Sequence, residues 1–385
     1  MTTAVLRVVL DQLVEQSDPE LAWASREVAR ALVRTAPARC AVEAIVPRGA
    51  ADLERLVPGL VSTDRLALPA AAVRSAWQVG VAPRPVGLVH SPTTVAPLAR
   101  HDRVHDNDQV VVTVWDASPW IPDASGTAAP DTQGLAQRVG TAALSFARRA
   151  PGAAWAKTVL HRLERFADAV VVPTHAAAEW FAAETRLGAR VRVIGGAAPE
   201  GFAEPTDAAG RRRAFALPAE GYVLVSGSVT ADGVRELGEA AGSPVVVWGS
   251  VVDAGAGPSD EDERLEASTS SLVSIEGELD DADRAAVISG ARALVATSTS
   301  AAYPWRVVEA LTLGVPVVAA ASDVHREVVL EAGLVVAPDR LSDALSQVLR
   351  DDATRERFAI RAADRGRGFS WWDHGSRVWV LHAEL

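Results

Sequence analysis

Between Gly290 and Val336 the chain reads GARALVATSTSAAYPWRVVEALTLGVPVVAAASDVHREVVLEAGLVV. An apolar strand at 293–296 runs into a loop of small residues and then a short helix carrying Glu309. A Gly-x-Pro turn (Gly314, Pro316) leads into a second strand at 315–319. A strand, a loop and a helix start in this order leave backbone N–H groups and the positive end of a helix dipole pointing outward, which favours anions. The same alternation of strand and helix patterns extends along the rest of the chain. It restricts the fold to α/β architecture with parallel sheets.

Strands are expected at 5–10, 41–46, 86–89, 110–114, 169–172 and 191–194. After the first, Leu21, Ser25, Val28 and Leu32 recur at helical spacing. The segment 119–134 is rich in Pro, Gly and Asp and reads as a loop, with helices following at 137–150 and 153–166. The run GGAAPEGFAEP (195–205) breaks the pattern and is the expected interdomain linker. A second series of strands then starts, at 222–225, 245–248, 273–275, 293–296, 315–319 and 334–336. An acidic loop at 253–263 interrupts it. At 385 residues two domains are expected: residues 1–197 and 198–366, with 367–385 a closing helix that returns to the first. Two doubly wound sheets of this kind bind ligands beyond the carboxyl ends of their strands, so each domain is expected to supply one wall of a cleft.

Composition removes several function classes. A net charge of −11 argues against a nucleic-acid partner, because phosphate backbones need a basic surface. Cys40 is the only cysteine, which excludes an intrachain disulfide or a cysteine-based metal site, and the eight histidines show no metal-ligand spacing. Residues 4–10 are too short for a signal peptide, and no stretch reaches the roughly 20 apolar residues of a membrane span. The default expectation is therefore cytoplasmic, with peripheral membrane contact left open. Neither half has Gly-x-Gly-x-x-Gly after its first strand, there is no Gly-Lys-Ser/Thr phosphate loop, and no Ser-His-Asp nucleophile elbow is visible.

Several segments resemble, in order and spacing, the retaining glycosyltransferases of group one (family four), which have the two-domain GT-B fold. LVHSPTTVAPLA (88–99), VVVTVWDASPW (110–120) and ERFADAVVVPTHAAAEWF (164–181) resemble that family's N-terminal domain. LPAEGYVLVSGSV (217–229), IEGELDDADRAAVISGARALVATS (275–298) and the 290–336 segment resemble its donor domain. FSWWDHGSRVW (369–379) resembles its closing helix. The resemblance implies that Glu309, the second glutamate of the family's Glu-Gly-Phe-Gly-Leu-Pro-x-x-Glu motif, accepts hydrogen bonds from ribose hydroxyls. It implies that backbone N–H groups around Arg306 and Val307 meet a phosphate, and that residues 277–279 help to hold the base. Family members of this kind need no metal or other cofactor.

The chain departs from the family at several positions that should bind the donor. Ala301 stands where the first glutamate grips the transferred sugar. After Gly227 the family places Arg or Lys, and Lys five residues later, against the diphosphate; here the two positions are Ser228 and Gly233. Two lost charge-assisted hydrogen bonds would cost roughly 3–6 kcal/mol of donor or transition-state affinity. Arg306, in place of the family's proline, is the candidate replacement cation, with Arg235 a weaker one; the competing reading is a solvated helix residue. In the first domain the family's Gly-Gly loop is replaced by VEQSDPELA (14–22). The His-Asp that often ends the strand at 110–114 is Trp115-Asp116. Trp115 is expected either to stack on a sugar or base or to fill the space of a missing ligand. Asp11, His90 and Asp116 are expected at strand ends, either touching acceptor hydroxyls or holding loops. Glu327 reads as a supporting or helix-start residue.

The leading expectation is a transferase that moves a hexose from a nucleotide diphosphate sugar to an acceptor hydroxyl of a carbohydrate or glycolipid, with retention. The alternative is a catalytically impaired GT-B protein, a pseudoenzyme that serves as a partner or glycan-binding subunit. An enzyme with an unusual donor is the third reading.

Overall fold

The computed structural model describes residues 4–15, 18–49, 51–81, 86–121, 153–252, 273–275 and 279–385. The expected helix at 137–150, the acidic loop at 253–263 and most of the loop at 119–134 lie outside these residues, as do Gly277 and Glu278. The chain divides into two compact units. Unit 1 comprises Met1–Gly196, Ala301–Tyr303 and Ser370–Leu385; unit 2 comprises Ala197–Ser300 and Pro304–Phe369.

Unit 1 is built on a parallel sheet of seven strands: β1 (Ala4–Val9), β2 (Cys40–Val46), β3 (Ser62–Arg65), β4 (Leu88–Ser91), β5 (Gln109–Thr113), β6 (Ala169–Val172) and β7 (Val191–Val193), in the order β3-β2-β1-β4-β5-β6-β7. The order reverses between β1 and β4, the switch point of a doubly wound sheet. β5 and β6 are buried along their whole length, which is why they read as unbroken apolar runs. The sequence expectation missed β3. Its residues STDR carry no apolar alternation, and it is an edge strand held by backbone pairing with β2 and by Arg7, which reaches both Glu43 and Asp64.

Helix Pro19–Arg34 starts where Asp18 accepts hydrogen bonds from the N–H groups of Glu20 and Leu21, with Pro19 in the first turn. Against it lies helix Trp371–Glu384, capped by Ser370. Their approach depends on Gly375: a Cβ there would come within 2.5 Å of Thr35 Oγ1 and 2.7 Å of the Ala31 carbonyl. Trp379 Nε1 donates to the Leu32 carbonyl at 3.0 Å, and the rings of Trp23 and Trp371 meet edge to face. Gly375→Ala is expected to push these helices apart and to lower the unfolding free energy by about 1–3 kcal/mol. Urea unfolding measures this, and an unchanged midpoint would contradict the packing described.

Unit 2 repeats the plan with six parallel strands: β8 (Tyr222–Thr230), β9 (Val245–Val252), β10 (Val273–Ser274), β11 (Ala291–Ala296), β12 (Val317–Ala320) and β13 (Gly333–Val336), in the order β10-β9-β8-β11-β12-β13. β12 begins two residues later than expected. Pro316 has no N–H for the ladder, although its carbonyl still accepts from Leu294. β8 and β9 run past the end of β11 and stay paired as far as Thr230 and Val252. In this extension Gly227 has φ +111°, and a Cβ at Gly249 would come within 2.1 Å of the Gly227 carbonyl oxygen. Glycine at these two positions is therefore a requirement of the backbone. Among the described residues no helix is long and apolar enough to cross a membrane.

Candidate functional site

In unit 2 the sheet order reverses between β8 and β11, and helix Trp305–Thr312 follows β11 in sequence. Ala296, the last residue of β11, pairs with Ser226 of β8, which in turn pairs with Trp248 of β9. Glu309 is completely buried on the helix. Its Oε1 accepts from Arg284 Nε at 2.9 Å and its Oε2 from Arg306 Nη1 at 2.8 Å. Arg284, on helix Asp281–Ser289, also pairs with Asp281 at 3.1 Å. The Arg306 guanidinium lies over the indole of Trp248, 4.1 Å from the ring centroid. A carboxylate taken out of water in this way needs charged donors on both oxygens, and the two arginines supply them.

The other expected donor-side residues occupy varied positions. Val307 is buried. The helix start is preceded by Pro304, which gives no side-chain cap. Ser228 is exposed, and its hydroxyl pairs with that of Ser250 at 2.9 Å. The N–H of Gly233 donates to Thr230 Oγ1 at 3.0 Å, where it closes the first turn of helix Ala231–Ala241. Arg235 is held on the outside of that helix by Asp232 and Glu239. Ala301 lies in unit 1, packed against the apolar core, with its carbonyl accepting from Ala117. Glu327 is half-buried in helix Asp323–Val329.

In unit 1, Trp115 is buried and does not offer a face to a sugar or base. Its ring stacks on His374 and touches Tyr303 and Trp371, and its indole N–H donates to the Pro92 carbonyl at 3.0 Å. Of the two readings of this residue, space filling is the one its burial supports. Tyr303 donates its hydroxyl to the Gly196 carbonyl at 2.8 Å and its N–H to the Trp115 carbonyl.

Asp11 is buried in a short 3-10 turn after β1. Burial pushes its carboxyl up to about 6, against the lowering effects of Arg74 at 3.8 Å and of hydrogen bonds from Gln12 and Thr93. His90 on β4 is completely buried; its Nε2 pairs with Thr113 Oγ1 at 3.2 Å, and burial pushes the imidazole well below its ordinary value. Asp116 is exposed, accepts from Ser118 N–H at 2.9 Å, and forms an antiparallel backbone bridge with Ala302. Asp116 is thus the one member of the expected acceptor set Asp11, His90, Trp115 and Asp116 that reaches solvent.

The motif reading missed Arg284, Trp248 and His374, which stand outside the motif, and Tyr303, which stands at its Phe position. No cluster of three His, Cys, Asp or Glu placed to hold a metal occurs among the described residues.

Residues 220–351 match the family model described as glycosyl transferases group 1, so this part of unit 2 is a group 1 glycosyltransferase domain. Over nearly its full length the chain has the GT-B fold. Sucrose-phosphate synthase from Thermosynechococcus elongatus aligns with a TM-score of 0.65 and 18% identity, covering 99% of this chain and 98% of that one. HepE from Anabaena, solved in complex with UDP-glucose, aligns with a TM-score of 0.62 and 16% identity, covering 99% and 100%. WaaG, a glycosyltransferase involved in lipopolysaccharide biosynthesis, aligns with a TM-score of 0.53 and 13% identity, covering 98% and 99%. No curated protein matches the chain by sequence.

Proposed function

We propose that the protein transfers a hexose from a nucleotide diphosphate sugar to a hydroxyl of a carbohydrate or glycolipid acceptor, with retention of anomeric configuration. The observation that carries this reading is the group 1 domain at 220–351, with its β8/β11 switch point and the Glu309 helix directly after β11. The UDP-glucose complex of HepE, a protein of the same fold, supports a nucleotide-sugar donor. The acceptor oxygen forms the new bond to the anomeric carbon as the bond to the phosphate oxygen breaks. The acceptor proton passes to the leaving phosphate on the same face, so the reaction needs no separate nucleophile, metal or other cofactor. The proposal places the protein in the cytoplasm.

Calorimetry against UDP, GDP and ADP tests it. Binding of at least one at roughly micromolar to millimolar affinity is expected; binding of none would sink the transferase reading.

A second reading rests on the closed state of Glu309, both of whose oxygens are taken by arginines, and on the burial of Trp115. On this reading the chain has lost catalysis and serves as a partner or glycan-binding subunit. A wild-type protein that binds a nucleotide diphosphate but neither transfers nor hydrolyses any matching sugar would favour it.

A further inference from the structure

We propose that in this chain Glu309 is a positioning residue, and that the guanidinium it holds, Arg306, is the group that meets the phosphate oxygens of a nucleotide diphosphate. The inference rests on the nucleotide-sugar reading above and changes which side chain performs the recognition.

A carboxylate that binds ribose has to offer an oxygen to neutral hydroxyls. Both oxygens of Glu309 already accept charge-assisted bonds, at 2.9 and 2.8 Å, and the side chain is fully buried. Exchanging either bond for a hydroxyl would replace a charged donor with a neutral one. It would also weaken the pairing of the Arg284 guanidinium, whose side chain is 9% exposed and which would then rely on Asp281.

The Arg306 side chain, in contrast, is 19% exposed. It is fixed from two sides: Nη1 by Glu309 and the guanidinium carbon by the Trp248 ring, 4.1 Å from its centroid. A guanidinium held over an indole loses little freedom when it binds, and its planar fork suits phosphate oxygens. Trp248 lies level with the last residue of β11, at the carboxyl side of the sheet where doubly wound folds take ligands. The positions Ser228 and Gly233 supply no cation, and Arg235 is committed to two carboxylates on an outer helix face. Of these positions, Arg306 is the one that brings a fixed basic group to the carboxyl edge of β9 and β11.

Calorimetry on the full chain, with UDP and with uridine, decides the assignment, and thermal melting of each variant is measured alongside. Arg306→Ala keeps the Glu309–Arg284 pair. It should weaken UDP at least tenfold and uridine less than twofold, and Arg306→Lys should recover part of the loss. Glu309→Gln should behave in the same way, losing UDP and keeping uridine, because it loosens the guanidinium without touching a nucleoside. If Glu309→Gln does not fold, Arg306→Ala alone decides. Equal loss of UDP and uridine in Glu309→Gln would restore the ribose role to the carboxylate and overturn the proposal. Unchanged UDP affinity in Arg306→Ala would overturn it too. Should wild type bind none of UDP, GDP or ADP, the transferase reading falls and takes this inference with it; the other failures leave that reading standing.

Discussion

Glu309→Ala should lower the unfolding free energy by about 3 kcal/mol and the melting temperature by about 6–12 °C. The residue looks like a ligand-binding carboxylate in sequence, but it is the buried counter-charge of two arginines. Removing one partner of a buried ion pair costs about 3–5 kcal/mol, because the remaining charge keeps its desolvation penalty. The lower end applies here, since Arg284 retains Asp281 at 3.1 Å. Arg306→Ala should cost less: its side chain is partly exposed, and Glu309 keeps Arg284. Urea unfolding with both single variants and the double variant gives the coupling directly. A loss under about 1 kcal/mol for Glu309→Ala would mean that the carboxylate is less dependent on its partners than its burial implies.

Acid should destabilise unit 1 well before ordinary carboxylates titrate. His374 and His382 sit on one face of helix Trp371–Glu384, and burial pushes both down to about 4. His374 Nδ1 pairs with the Gly195 carbonyl at 2.9 Å and His382 Nδ1 with Gln109 Oε1 at 3.1 Å, while the Nε2 of each has no hydrogen-bond partner. His90, which touches the His382 ring, is shifted in the same direction.

The folded state keeps these imidazoles neutral, whereas the unfolded chain takes up protons below about pH 6.5. Stability is therefore full above that pH and is lost as pH falls toward about 4. Asp11 works in the opposite sense: with its folded value raised to about 6, it gains stability as pH falls from about 6 toward its ordinary value near 4. Between pH 7 and pH 5 the two C-terminal histidines outweigh it, for a net loss of about 2–3 kcal/mol from these groups. His101, raised chiefly by its hydrogen bond to Asp168, adds stability that is present at low pH and lost as pH rises through its folded value. Urea midpoints from pH 7 to 5 measure the sum. His382→Gln should flatten the slope and Asp11→Asn should steepen it. A wild-type midpoint that stays level or rises toward pH 5 would contradict the assignment.

Most of the fold was legible in the chain because parallel strands buried on both faces leave continuous apolar runs. β5, β6, β11 and β12 were all readable on that ground. β3 was not, because an edge strand of STDR relies on backbone pairing and carries no hydrophobic signal. The extension of β8 past Val225 was missed for a related reason. It includes Gly227 and Ser228, whose residue types argue against a strand, but a close approach to β9 carries it through.

The site was legible only as a set of positions. The order of strand, loop, Glu309, Gly314 and Pro316 fixed where a donor-type helix stands, since each of those residues answers to local backbone geometry. What Glu309 does depends on partners that are distant in sequence. Arg284 comes from the helix before β11 and Trp248 from β9, and no local pattern marks either as a neighbour. Trp115 was open between a ligand platform and a packing residue, because sequence reports the ring and not its burial; Tyr303, Trp371 and His374 enclose it.

The sequence by itself determined the α/β class, the two strand series and the uncharged residues at Ser228 and Gly233, because periodicity and residue identity are local properties. Only the tertiary structure decided that both oxygens of Glu309 are taken by arginines and that Trp115 is sealed inside. Charge pairing and burial are set by residues that meet only when the chain folds.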